Sequence, residues 1–217
     1  MAQLSDINGR LLDLSSKLSQ VQEIAQNGAG SLTDANGIPT GFPIDQMFQI
    51  TREVADILDQ LVATTLGDDA NRAHQARQDV ADPANAMLVL SIYVRLLDMY
   101  QHVFDLIQAE VSQTIPSPDS AFRFWKLPDV TVGSFAVESS PSLQMSLTIQ
   151  LAEDFLTRLS GATAAVNASI RNGDVSQPAD GFAGAIEGSY EAVKGKEEHL
   201  RKHLVQLRAE IEALLDD

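Results

Sequence analysis

Two long apolar stretches decide the fold class of this 217-residue chain. The first, residues 88–107, reads LVLSIYVRLLDMYQHVFDLI, and the second, residues 140–159, reads SPSLQMSLTIQLAEDFLTRL. Each of them, drawn as a helix, is apolar round much of its circumference, and a helix of that kind is normally buried. We therefore expect both to lie at the centre of an all-α body, packed against each other.

Three more helices are predicted around this central pair. Residues 1–26 form a heptad-like helix, a second helix follows Pro43 and ends near residue 66, and a third extends from about residue 182 to 215. Pro83 and Pro141 suit the first positions of the two central helices, because the missing N–H of proline costs nothing there. The sequence thus predicts one domain, residues 1–217, that is an antiparallel bundle of about five helices.

A long connector, residues 115–140, joins the two central helices. It contains three prolines and the aromatic residues Phe122, Trp125 and Phe135, and residues 130–137 can pair briefly as extended chain. Aromatic side chains in an irregular segment usually fix it across a core. The alternative is that the connector covers a ligand pocket or forms a partner surface.

Leucines on the first and last helices form seams at heptad spacing. Docking of these seams onto the rest of the domain is one interpretation, and association with a second copy or another protein is the other. The seam residues that we assign as candidate contacts are Leu4, Leu11, Leu18, Leu200, Leu207 and Leu214. Glu197 interrupts the second seam of the last helix.

Composition excludes several classes of function. The chain has 30 acidic and 15 basic residues and a net charge of −15, which argues against direct nucleic-acid binding. It has no cysteine, so disulfides, thiol nucleophiles and thiolate zinc sites are excluded. Its apolar stretches are interrupted by charges before they reach the length of a membrane span. No phosphate-binding loop or catalytic motif is present, and we predict neither a cofactor nor catalytic residues.

The histidines do not predict a metal site. His199 and His203 are four residues apart on one helix face, as two metal ligands would be, but Arg201 and Lys202 beside them would repel a cation. We interpret this run as a solvated helix face. His102, close to two aspartates on the central helix, is interpreted as a satisfied polar contact.

Four blocks of the chain, taken in order, resemble one known family. They are FPIDQMFQITREVADILDQL at 42–61, LSIYVRLLDMYQHVFDLI at 90–107, VGSFAVESSPSLQMSLTIQLAEDFLTRL at 132–159 and EEHLRKHLVQLRAEIEALL at 197–215. Their order and spacing are similar to the C-terminal regulatory region of fungal zinc binuclear cluster transcription factors that control secondary-metabolite gene clusters. The resemblance covers residues 43–217. The six-cysteine DNA-binding cluster of that family is absent, so we expect either an excised regulatory domain or a protein that lacks the DNA reader.

Two functions follow as hypotheses. The resemblance implies a non-enzymatic regulatory module of the nucleus or cytoplasm, whose partner is a second copy or a transcription regulator. The alternative is a protein that binds a hydrophobic small molecule, or a cyclase-like or isomerase-like biosynthetic enzyme that acts through the shape of a helical pocket. Its candidate pocket residues are Tyr93, Phe122, Trp125 and Phe135. A structural protein without a small ligand is the third interpretation.

Overall fold

Five helices make up nearly all of the described structure. The computed structural model describes residues 2–27, 42–65, 82–112, 125, 131–132, 135–136, 141–172 and 180–216. The helices are α1 (Ala2–Asn27), α2 (Ile44–Thr65), α3 (Pro83–Ser112), α4 (Pro141–Asn172) and α5 (Asp180–Asp216). Two short strands, β1 (Thr131–Val132) and β2 (Phe135–Ala136), pair antiparallel within the connector. The predicted all-α fold is confirmed, whereas most of the connector lies outside the described residues.

The helix starts follow the local sequence. Pro83 opens α3, and Asp82 caps it by accepting a hydrogen bond of 3.0 Å from the backbone N–H of Ala84. Pro141 opens α4, as predicted. Pro43 stands one residue before α2, and its carbonyl oxygen accepts the backbone N–H of Gln46 at 3.1 Å. Proline thus precedes or begins three of the five helices, where its fixed φ costs nothing.

Helix α3 is the central element of the bundle. It packs against α1, α4 and α5, and its most extensive contact is with α5. Three polar pairs between α3 and α5, namely Tyr93–Glu197, Gln101–His203 and Gln108–Glu210, have almost the same sequence separation. A constant separation along two helices means that they run in the same direction, so α3 and α5 depart from the predicted antiparallel arrangement. α4 runs opposite to α5, because its ion pair and hydrogen bonds with α5 occur in reversed order.

The expected packing of the two central segments against each other is only partly present. α3 and α4 touch over a small area, and α4 packs chiefly on α2. The rings of Phe48 and Phe155 stack there with centroids 5.6 Å apart, and Arg158 bridges Asp56 and Asp59. The physical reason is that the N-terminal half of α4 is buried on one side only, since Leu143, Gln150 and Asp154 lie along its exposed side. A one-sided helix covers the bundle rather than occupying its centre.

Aromatic side chains fill the middle of the core. Tyr100 and Phe104 of α3 stack with centroids 6.3 Å apart, and Phe48 of α2 packs against Tyr100 at 6.0 Å. The Tyr100 hydroxyl and Thr51 Oγ1 share a hydrogen bond of 3.0 Å, so this buried polar pair is satisfied. The described helices contain no stretch apolar enough to cross a membrane.

Candidate functional site

A buried carboxylate lies where α3, α4 and α5 meet. Glu197 of α5 is only 8% exposed. The Tyr93 hydroxyl of α3 donates to Glu197 Oε2 over 2.9 Å, and Arg201 Nε donates to Oε1 over 2.9 Å. Arg201 Nη1 also donates to Thr157 Oγ1 of α4 over 3.1 Å. A buried charge is tolerated only when it is paired and hydrogen-bonded in this way, so the four side chains form one polar cluster.

The Tyr93 hydroxyl is held in its protonated form. Burial raises its pKa well above the ordinary value, and the neighbouring Glu197 carboxylate raises it further. A neutral phenol donates a hydrogen bond to the carboxylate, and it is a poor general base. The geometry therefore favours a positioning role for this cluster, which ties three helices together.

A second polar cluster surrounds His203, one and a half turns along α5. His203 Nε2 lies 2.7 Å from Gln108 Oε1, and Nδ1 lies 2.9 Å from Gln101 Nε2. In this arrangement the amide nitrogen of Gln101 faces Nδ1, and the amide oxygen of Gln108 faces Nε2. Asp105 Oδ1 is 3.5 Å from Nδ1, and Gln108 Nε2 donates to Glu210. Both ring nitrogens are thus hydrogen-bonded to side chains of α3.

The interpretation of the histidine run as a solvated face is wrong for His203. That side chain is 9% exposed, whereas His199 is exposed. The two imidazoles therefore occupy different environments, and His203 has no nitrogen left for a metal ion. Within the described parts of the chain, no three histidine or carboxylate side chains are grouped so as to hold a metal.

The four candidate pocket residues are not brought together by the described structure. Tyr93 is 2% exposed and its hydroxyl points to Glu197. Trp125 is 3% exposed and packs against Phe42, with ring centroids 6.1 Å apart. Phe122 lies outside the described residues, and Phe135 is described only as the backbone of β2. A shared aromatic pocket stays a prediction.

The leucine seams lie inside the domain. The described seam side chains are at most 2% exposed in the single chain: Leu4, Leu11, Leu18, Leu200 and Leu207. Leu214 belongs to α5, but its side chain is outside the described part. Because α1 packs on α2 and α3, and α5 packs on α3 and α4, the seams are used for docking within the chain. The five described seam side chains are therefore buried within the single chain, and the assignment of the seams as partner contacts stays a prediction.

Sequence reasoning missed the two polar clusters but had a signal for one. Glu197 was visible as a charge at an apolar seam position, which indicates a buried acid when a partner is present. The partner, Tyr93, is 104 residues away in the chain. His203, Gln101 and Gln108 gave no signal, because glutamine and histidine at helical positions are normally exposed.

Comparison with known proteins gives one family match. The model of the CcsR C-terminal domain matches residues 1–215. An isoflavipucine cluster transcription factor of Aspergillus terreus is 32% identical over 131 residues, which is 59% of this chain and 30% of that protein. A C6 finger transcription factor, fumR, of Aspergillus fumigatus is 28% identical over 154 residues, 62% of this chain and 25% of that protein. The chain therefore spans less than a third of the length of these relatives. No solved structure matches it significantly.

Proposed function

The chain belongs to the CcsR C-terminal domain family, and from this premise we propose that it is a non-enzymatic regulatory domain for transcription of a fungal secondary-metabolite gene cluster. In this proposal the domain works in the nucleus by contacting a transcription regulator, and it does not touch DNA itself. The observation that carries the proposal is the family match over 215 of the 217 residues, together with two relatives named as transcription factors.

The charge of the chain supports contact with protein rather than DNA. A net charge of −15 repels the phosphate backbone, and DNA-binding domains carry basic patches instead. The basic residues of α5 between positions 194 and 202 are largely paired with acidic residues of the same chain. Arg201 is paired with Glu197, Lys196 with Asp98, and Lys202 with Glu198.

The polar groups of the core support a structural use rather than catalysis. In the described core, Tyr93, Glu197 and His203 each have partners on neighbouring helices. An acid–base catalyst needs a proton-transfer group that reaches substrate. These three groups instead face other side chains of the same domain, as expected where polar contacts fix helix register.

The test is transcriptional. The chain is fused to a heterologous DNA-binding domain in a filamentous fungus that carries a matching reporter gene, and reporter transcript is measured with and without the fusion. We expect the fusion to change transcript several-fold and to co-purify with a transcription regulator. A reporter level equal to that of the DNA-binding domain alone, with no regulator recovered, would overturn the proposal.

A matched pair of variants controls this experiment. Leu207 is fully buried, and Val205 on the same helix is 63% exposed. Leu207→Asp is expected to unfold the domain and to abolish the reporter response, whereas Val205→Asp adds the same charge and leaves the fold intact. A response that survives Leu207→Asp would show that the folded domain is not responsible for it.

A further inference from the structure

Arg95 of α3 stands apart from the other arginines of this acidic chain. Every other arginine whose side chain is described pairs with a carboxylate: Arg10, Arg52, Arg158, Arg201 and Arg208. No carboxylate of the described residues lies within ion-pair distance of the Arg95 guanidinium. Arg95 is exposed, and without a carboxylate among the described residues its guanidinium is available for an external anion.

Arg95 lines a pocket between α1 and α3. The pocket has a volume of about 190 Å³, and His102, two turns further along α3, lies on the same wall. Leu18 and Met99, which are 2% and 3% exposed, form its apolar part. Ser15 and Ser19 line the α1 side. Both serine hydroxyls already donate to α1 carbonyls, to Leu11 O at 2.9 Å and to Ser15 O at 3.1 Å, so they remain as acceptors only.

The carboxylate of Asp98 also lines the pocket. Asp98 lies on α3 between Arg95 and His102, and it would oppose an anion if its charge were free. Lys196 of α5 forms an ion pair with Asp98 Oδ1 from the other side of α3. Asp98 therefore has a cationic partner within the chain, and Arg95 and His102 are the other polar side chains of α3 that line the pocket.

We propose that this pocket binds a small organic acid, whose carboxylate is held by Arg95 and His102 and whose apolar part lies on Leu18 and Met99. A guanidinium offers two parallel N–H donors that match the two oxygens of a carboxylate. A volume of 190 Å³ equals about six water-sized groups, so the ligand is a short-chain or single-ring acid rather than a drug-sized molecule. The domain thus carries a ligand site in addition to any protein contact, and this site does not depend on the proposed function.

The test is an NMR titration of the ¹⁵N-labelled full chain with sodium benzoate and, separately, with sodium phosphate at constant ionic strength. Benzoate is expected to shift amide signals of residues 15–19 and 95–102 and to saturate with a dissociation constant on the order of 1 mM. Phosphate lacks an apolar part and is expected to bind several-fold more weakly. Failure of benzoate to saturate, or tighter binding of phosphate than of benzoate, would refute an organic-acid site.

Two variants and one control locate the binding. Arg95→Gln should weaken benzoate at least tenfold, because a charge-assisted hydrogen bond is lost. Ser19→Glu, which adds a carboxylate on the opposite wall, should weaken it as well. Arg52→Gln removes the same charge from a 71% exposed side chain on α2 and should leave the dissociation constant unchanged. Equal weakening by Arg95→Gln and Arg52→Gln would mean that benzoate responds to net charge alone, which would also refute the site.

Discussion

Replacing Tyr93 by phenylalanine removes one hydroxyl group from the buried cluster at the junction of α3, α4 and α5. That hydroxyl donates to Glu197 Oε2 over 2.9 Å, and both side chains are less than 10% exposed. A hydrogen bond to a charged group contributes about 1.5–3 kcal/mol to stability. We therefore expect Tyr93→Phe to lower the free energy of unfolding by about 2 kcal/mol.

Replacing Glu197 by methionine disturbs the same cluster from the other side. It removes the Glu197 acceptor from the buried Tyr93 hydroxyl, which then has Ser160 as a neighbouring polar group, and it leaves Arg201 without its carboxylate. Arg201 is 36% exposed and still donates to Thr157, so water and the threonine relieve part of the loss. The expected cost is about 3 kcal/mol, at the low end for breaking a buried ion pair.

The double variant decides whether the cluster acts as a unit. With the hydroxyl and the carboxylate both gone, no buried donor is orphaned, and we expect a total cost of about 3 kcal/mol instead of the additive 5. Urea unfolding followed by the fluorescence of Trp125, the single tryptophan, gives the three free energies. Single-variant costs that add to within about 0.5 kcal/mol would refute the idea that the hydroxyl and the carboxylate stabilise each other.

Three further predictions follow from burial and charge. Burial raises the pKa of both the Tyr93 and Tyr100 hydroxyls, so the stability that they contribute is fully present below the ordinary tyrosine pKa of about 10 and is lost at higher pH, where the unfolded state releases two protons. The expected loss is about 2.7 kcal/mol in total between pH 9 and pH 11, and Tyr100→Phe should halve it; urea unfolding over this pH range measures the loss. Leu207→Asp places a charge at a fully buried position and should cost about 5 kcal/mol or more, which is enough to unfold a typical domain. Val205→Asp, at an exposed position, should change stability by less than about 0.5 kcal/mol. Circular dichroism distinguishes the two variants, and a folded Leu207→Asp variant would contradict the described packing of α5. Arg158→Ala breaks two half-exposed ion pairs between α4 and α2. It should lower the free energy of unfolding by about 1 kcal/mol at low salt and by almost nothing at about 1 M salt. A loss of stability that does not change with salt would rule out an electrostatic origin.

The helices could be predicted from sequence because apolar periodicity and proline act locally. The predicted start of α3 at Pro83 and of α4 at Pro141 is confirmed, since each depends on a proline at the first helical position. The predicted end of α2 near residue 66 is one residue beyond its observed end at Thr65. Local signals of this kind need no knowledge of which helix packs against which.

The choice of partners could not be predicted, because it depends on contacts between distant residues. Both apolar segments suggested a central pair, but Leu143 shows that the start of α4 has an exposed side. The register of α3 on α5 is marked by polar residues, and the partner of Glu197 lies 104 positions away in the chain. A single sequence shows that Glu197 interrupts the apolar seam of α5, but it does not show that Tyr93 donates a hydrogen bond to Glu197.

The pairing of α2 with α4 and of α3 with α5 also determines what happens when the chain is cut in the connector. A break anywhere between residues 113 and 140 separates three of the described helices from the other two, and the most extensive contacts of the bundle cross from one piece to the other. Neither piece alone can cover its own apolar surface, so the two should assemble from solution as fragments of one fold. Trp125 of the connector packs on Phe42 and belongs to the core, so an insertion should be tolerated only away from Trp125, where closing a longer loop is only slightly more unfavourable. The bundle is held by side chains of α2 with α4 and of α3 with α5, so an intact peptide bond in the connector mainly keeps these helices at high local concentration.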